Sequence, residues 1–112
     1  MKQIENIDNS AHQRHIILFE ESEIILTLRF LPVVEEWIFD AEYKDKLATG
    51  IRIAVGVPHM VSRGFPFDFA AVDNSGNGLD PFRVNDFSDS RCSLFLLEPE
   101  DMLLIRGIGV EL

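Results

Sequence analysis

Between Ile24 and Val57 the chain alternates apolar and polar side chains with a period of two, and that period confines the stretch to β-strands. Ile24, Leu26, Leu28 and Phe30 fall on one face, and Ile25, Thr27, Arg29 and Leu31 on the other. Pro32 has no amide hydrogen to give to a ladder and restricts Leu31 before it, so the first strand of the stretch is expected to end there. Trp37, Phe39, Ala41 and Tyr43 then share a face opposite Glu36, Ile38, Asp40 and Glu42. Glu42 and Lys46 have the spacing of a helical ion pair, but a 3.6-residue period would scatter the aromatic residues around a helix, so strand is preferred. A turn at Lys44–Asp45 or at Thr49–Gly50 leads into the alternating Ile51, Ile53, Val55 and Val57, with Gly50 and Gly56 as places for a bulge or bend.

The remainder of the chain extends this pattern. Residues 1–12 are polar and aperiodic and are expected to form an N-terminal tail that orders only when captured, leaving 13–112 as a single β-domain. The run His15–Phe19 joins the Ile24 run through Glu20, Glu21, Ser22 and Glu23, a hairpin with a solvated acidic turn. Phe65, Phe67 and Phe69 alternate, and Ala70–Val72 is short and β-like. Asp73–Asp80 carries the strongest turn signal and opens a long loop over residues 74–90; connections of that length are often functional or ordered by a partner. Arg91–Leu97 and Met102–Val110 read as two closing strands separated by a turn at Glu98–Asp101. Six or seven strands with no helix predict an all-β chain, a single antiparallel β-barrel or sandwich.

Composition narrows the function. With 112 residues, 46% of them hydrophobic and nine of them Phe, the chain can bury one core but not two. Nineteen acidic against ten basic residues, a formal charge of −9, exclude binding that relies on displacing counterions from nucleic-acid phosphates. The N-terminus lacks an apolar signal region and no apolar run reaches the length of a membrane span, so no membrane partner and synthesis in the cytosol are expected. The lone Cys92 reads as a small buried residue.

No catalytic constellation emerges. Cys92, Ser62 and Ser93 have no base supplied by a local motif, and the neighbouring acids Glu35/Glu36 and Glu98/Glu100/Asp101 lie in polar turns where nothing raises a carboxyl pKa. Asp73-x-Ser75-x-Asn77-Gly78 has the first half of a calcium loop, but Val84 stands where its bidentate Glu is needed. His12, His15 and His59 do not converge as a metal site. No enzyme activity, catalytic residue, metal or cofactor is therefore assigned. Trp37 is expected to anchor the core. Ile25, Leu31 and Ile38, apolar on the faces opposite that core, and Phe82, Arg83 and Phe87 on the long loop are the candidate partner contacts.

The order of features from about Gln13 to Met102 resembles the small baseplate plug proteins of contractile-tailed phages, the cyanophage type. The resemblance is carried by HIILF at 15–19, IILTLRF at 24–30, Trp37-Ile38-Phe39-Asp40, and Gly50-Ile51-Arg52-Ile53-Ala54-Val55-Gly56. It continues through the Asp73-Asn74-Ser75-Gly76 to Asp80-Pro81 loop and Cys92-Ser93-Leu94-Phe95-Leu96-Leu97. The chain departs from the family at Leu31-Pro32-Val33, where an Asn–aromatic turn is usual, and at Phe95-Leu96-Leu97, where an aromatic pair is usual. The resemblance implies a virion structural protein of a phage or prophage tail, made in the bacterial host cytoplasm, with no cofactor. Its implied partners are the baseplate hub, spike and tail-tube proteins, and a symmetric homo-oligomer is implied in the assembled tail. Two other readings fit the residues: a small acidic inhibitor or immunity-type protein capping a basic partner, and a barrel holding an apolar ligand.

Overall fold

The structure, a computed structural model, describes residues 1–61 and 63–107, with side chains as far as Leu103. Seven strands form two antiparallel sheets. One is built from β2 (His12–Phe19), β3 (Ser22–Leu31), β4 (Glu36–Tyr43) and β5 (Lys46–Arg52), in that order. The other places β7 (Cys92–Leu97) between β1 (Lys2–Gln3) and β6 (Asp68–Asp73). The sheets do not close into a barrel; they pack face to face as a sandwich.

The period-two alternation sets every register in the larger sheet. Leu26 lies opposite Ala41, Leu28 opposite Phe39 and Phe30 opposite Trp37, so the inward faces of β3 and β4 stack into one apolar wall. Phe67 and Phe69 enter from the β6 side, and edge-to-face contacts join Phe67 to Phe19 and Tyr43, and Phe69 to Phe39, with ring centres 5.3–5.4 Å apart. Trp37, Phe39, Phe67 and Phe69 are fully buried, so among the described residues the space between the sheets is filled by side chains rather than left for an apolar ligand. The β4–β5 turn falls at Lys44–Asp45, and the register slips between Phe39 and Ala41 at the level of Gly50. Gly50 has φ of 65° and gives its amide to Asp40 at 2.7 Å, so the glycine marks a bulge. β5 begins at Lys46, five residues before the predicted run, and the chain leaves the sheet after Arg52.

The two ends of the chain differ from the sequence expectation. Residues 1–12, expected to be a polar tail, are captured by the chain's own sheet: β1 pairs with β7, Ile4 gives its amide to Leu94 at 2.8 Å, and its side chain is buried. At the other end the predicted strand Met102–Val110 is replaced over its described part by a helix, α1 (Pro99–Gly107); residues 108–110 lie outside the described residues. The local cap explains the change. Pro99 suits the first helical turn, Glu100 and Asp101 favour its positive end, and Asp101 accepts the amide of Glu98 at 2.9 Å. The same carboxylate meets the Met1 ammonium at 3.0 Å and ties the two termini of the sandwich together.

Candidate functional site

The loop 74–90 contains half of the candidate contacts, and the structure shows why it can be long and still ordered. Asp73, the last residue of β6, accepts the amide and the hydroxyl of Ser75 at 2.9 and 2.6 Å and the amide of Leu79 at 2.9 Å. These bonds, led by the Ser75 hydroxyl, hold its carboxyl well below the ordinary carboxylate range, and the Arg91 guanidinium at 3.2 Å adds to the effect. The carboxylate oxygens that a calcium loop would use are thus occupied in closing the turn.

Arg91 staples the far side. Its Nε and Nη2 form a two-point bond to Asp86 at 3.0 and 2.9 Å, and its Nη1 and Nη2 donate to the carbonyls of Leu79 and Asp80 at 3.1 and 2.9 Å. Burial opposes the charge on Asp86, but the bonds from Arg91 and from the amides of Phe82 and Arg83 outweigh it and keep the carboxyl below its usual range. Cys92, next in sequence, lies under this cluster; burial pushes its thiol up to about 11, so at neutral pH it is an unreactive packing residue.

Two further bonds fasten the loop to the larger sheet. Trp37 donates its indole N–H to the carbonyl of Arg83 at 2.9 Å, and its ring meets Phe87 edge-on at 5.6 Å. Asp80 receives Arg52 at 2.6 Å and the amide of Val55 at 2.8 Å. The predicted contact residues therefore divide. Phe87 is only 6% exposed and belongs to the core against Trp37. Ile38 is 9% exposed although it lies on the outer face, where Arg29 and Arg52 are its cross-strand partners on either side. Neither presents appreciable surface. Phe82 is half-buried between the guanidinium groups of Arg83 and Arg91, at 5.0 and 5.1 Å, and Arg83 is exposed. Leu31 and Ile25 are half-buried on the outer face.

The most exposed apolar residues are ones the alternation did not single out. Val33 and Val34, 94% and 55% exposed, form the turn between β3 and β4, directly ahead of Trp37. Ile16 and Leu18 stand exposed on the outer face of β2, and Ile16 pairs with Ile25. Their signal was present, since two β-branched residues after Pro32 are poor turn formers unless something covers them, and the HIILF run is apolar on both faces. The result is an end where the exposed Val33 and Val34 lie among charges of both signs, Glu35, Glu36 and Arg83, and an opposite end where Glu20, Glu21, Glu23 and Asp45 lie with Lys44 and Lys46 at the β2–β3 and β4–β5 turns.

The sandwich spends two buried carboxylates, Asp73 and Asp86, on holding its own long loop, and leaves exposed apolar residues at the β3–β4 turn and on the outer face of β2, where a neighbouring protein could cover them. A family model described as the cyanophage baseplate Pam3 plug gp18 matches residues 1–99, and the chain belongs to that family. Membership supports a structural role in a phage virion baseplate, in contact with other baseplate proteins. No curated protein sequence matches the chain.

Proposed function

We propose that this chain is a non-catalytic baseplate plug that acts by assembly, seated where hub, spike and tail tube meet and closing the channel before infection. The observation that carries the reading is the family match over residues 1–99, which takes in all seven strands and the stapled loop 74–90. The surface supports it: the exposed Val33 and Val34, with Leu31, Arg83 and Phe82 on the same side and Ile25 on the adjoining sheet face, suit a protein neighbour. The excess of carboxylates suits a channel through which DNA slides, because a negative wall does not retain it. In the assembled tail the chain forms a symmetric homo-oligomer.

The test is made on particles. Tails from phage lacking this gene are expected to lack one density at the baseplate centre and to lose infectivity, both restored by the wild-type gene. Infectious particles without the protein, or its absence from purified virions by mass spectrometry, would overturn the proposal.

A further inference from the structure

The edges of the two sheets differ in how they are guarded. β1 is two residues long, and the outer edge of β6 is closed by a parallel bridge between Val55 and Ala71 and by the Gly56 amide bonded to Ala71 at 3.1 Å. β5 carries the Gly50 bulge, which breaks the regular row of edge groups. β2, the other edge of that sheet, has no bulge: eight residues pair with β3 in unbroken register on one side and with no strand on the other among the described residues.

The ladder shows which groups are open. Phe30 gives its amide to the carbonyl of Ala11 at 2.7 Å, so positions 11 and 30 are a hydrogen-bonded pair. Hydrogen-bonded positions alternate along an antiparallel strand, so Gln13, His15, Ile17 and Phe19 bond to β3, and His12, Arg14, Ile16 and Leu18 turn their N–H and C=O groups to the open edge. The same four side chains lie on the outer face, where Ile16 and Leu18 are 60% and 70% exposed. Residues 2–6 face His15–Leu18 across a groove of about 270 Å³, and none of the described residues pairs with the outward groups of β2.

Charge limits where a second copy can approach. Any second copy of a chain with formal charge −9 must approach where carboxylates are fewest. Asn9 to Phe19 holds none and includes the cation Arg14; β5, with Lys46 and Arg52, holds none either, but its bulge interrupts the ladder, whereas β3, β4 and β6 all carry acids. We infer that β2 is a self-pairing edge: two copies join their β2 strands antiparallel about a two-fold axis, making one continuous eight-stranded sheet. With the axis at His15, His12 pairs with the partner's Leu18 and Arg14 with the partner's Ile16. All four outward residues of each copy are then used in about eight ladder bonds. The aliphatic stem of each Arg14 lies over the exposed Ile16 opposite it, continuing the apolar row that Ile16 makes with Ile25. This pairing rests on the homo-oligomer put forward above and names the surface that makes it.

Sedimentation of the full chain from low micromolar to near-millimolar concentration is expected to show a dimer. Ile16→Pro removes only an outward N–H and leaves every β2–β3 bond in place, so it is expected to weaken the dimer about tenfold or more with an unchanged circular dichroism spectrum. Leu18→Lys, an exposed side-chain change, is expected to act in the same direction without touching the backbone. His15→Cys is expected to cross-link two copies under mild oxidation, since facing non-hydrogen-bonded residues lie within disulfide reach. A wild-type monomer at all concentrations would overturn self-pairing, including the case in which β2 accepts a strand only from another baseplate protein, and would leave the baseplate role to the particle test. An oligomer indifferent to both Ile16→Pro and Leu18→Lys would overturn the β2 assignment alone.

Discussion

Glu20 and Glu21 have φ of 48° and 65° at the centre of the two-residue turn between β2 and β3. Positive φ at both positions is the turn whose twist matches that of the flanking strands, and Asn-Gly is the pair that adopts it with least strain. Two glutamates there accept the steric cost of the left-handed region and repel each other as well. Glu20→Asn with Glu21→Gly is therefore expected to raise stability by about 1 kcal/mol, read as a higher denaturant midpoint at unchanged slope. A lower midpoint would mean that these carboxylates support the folded state in a way their exposure does not show. The alternation around this turn was legible in sequence, and so was its place. Its strained geometry was not, because Glu-Glu is no turn signal and the conformation is imposed by the pairing of the strands on either side.

At the scale of elements, strands whose partners lie nearby in sequence were the ones the alternation identified. β2, β3 and β4 succeed one another through short turns, and each carries its own apolar face. β1 has only two residues and no period to display; it is a strand because β7 offers it an edge and because Ile4 finds a place in the core. α1 follows from a cap, Pro99 with Glu100 and Asp101, whose signal is local and outweighs the β-like composition after it. The loop 74–90 was visible as a loop, but its order depends on Arg91, which reaches Asp73 and Asp86 from outside it. Asp86→Asn removes the two-point partner of Arg91 and leaves it only Asp73, and is expected to cost about 2 kcal/mol. Hydrogen exchange should quicken first at residues 79–90, whose amides the staple positions; uniform quickening across both sheets would show that the loop is not a separate unit of stability.

For the whole molecule the depressed carboxyls of Asp73 and Asp86 set the response to acid. Each releases its proton more readily in the folded chain than in the unfolded one, so the unfolded state binds more protons as the pH falls. The stability they confer is complete above the ordinary carboxylate pKa of about 3.9 and is lost progressively below it. Urea midpoints are expected to stay level from neutral pH to about pH 5 and to fall steeply below pH 4, with a shallower fall in Asp86→Asn. An equally steep fall in that variant would assign the acid response to other groups. By itself the sequence determined the all-β class, the inward faces of β3 and β4, the place of the long loop and the family, because a period of two and the order of short motifs are properties of neighbouring residues. Only the tertiary structure decided that Ile38 and Phe87 are covered, that the first residues join a sheet, and that β2 keeps an open edge. Burial and edge pairing depend on which distant segments arrive, and Ile24–Val57 contains no record of β7 or of Arg91.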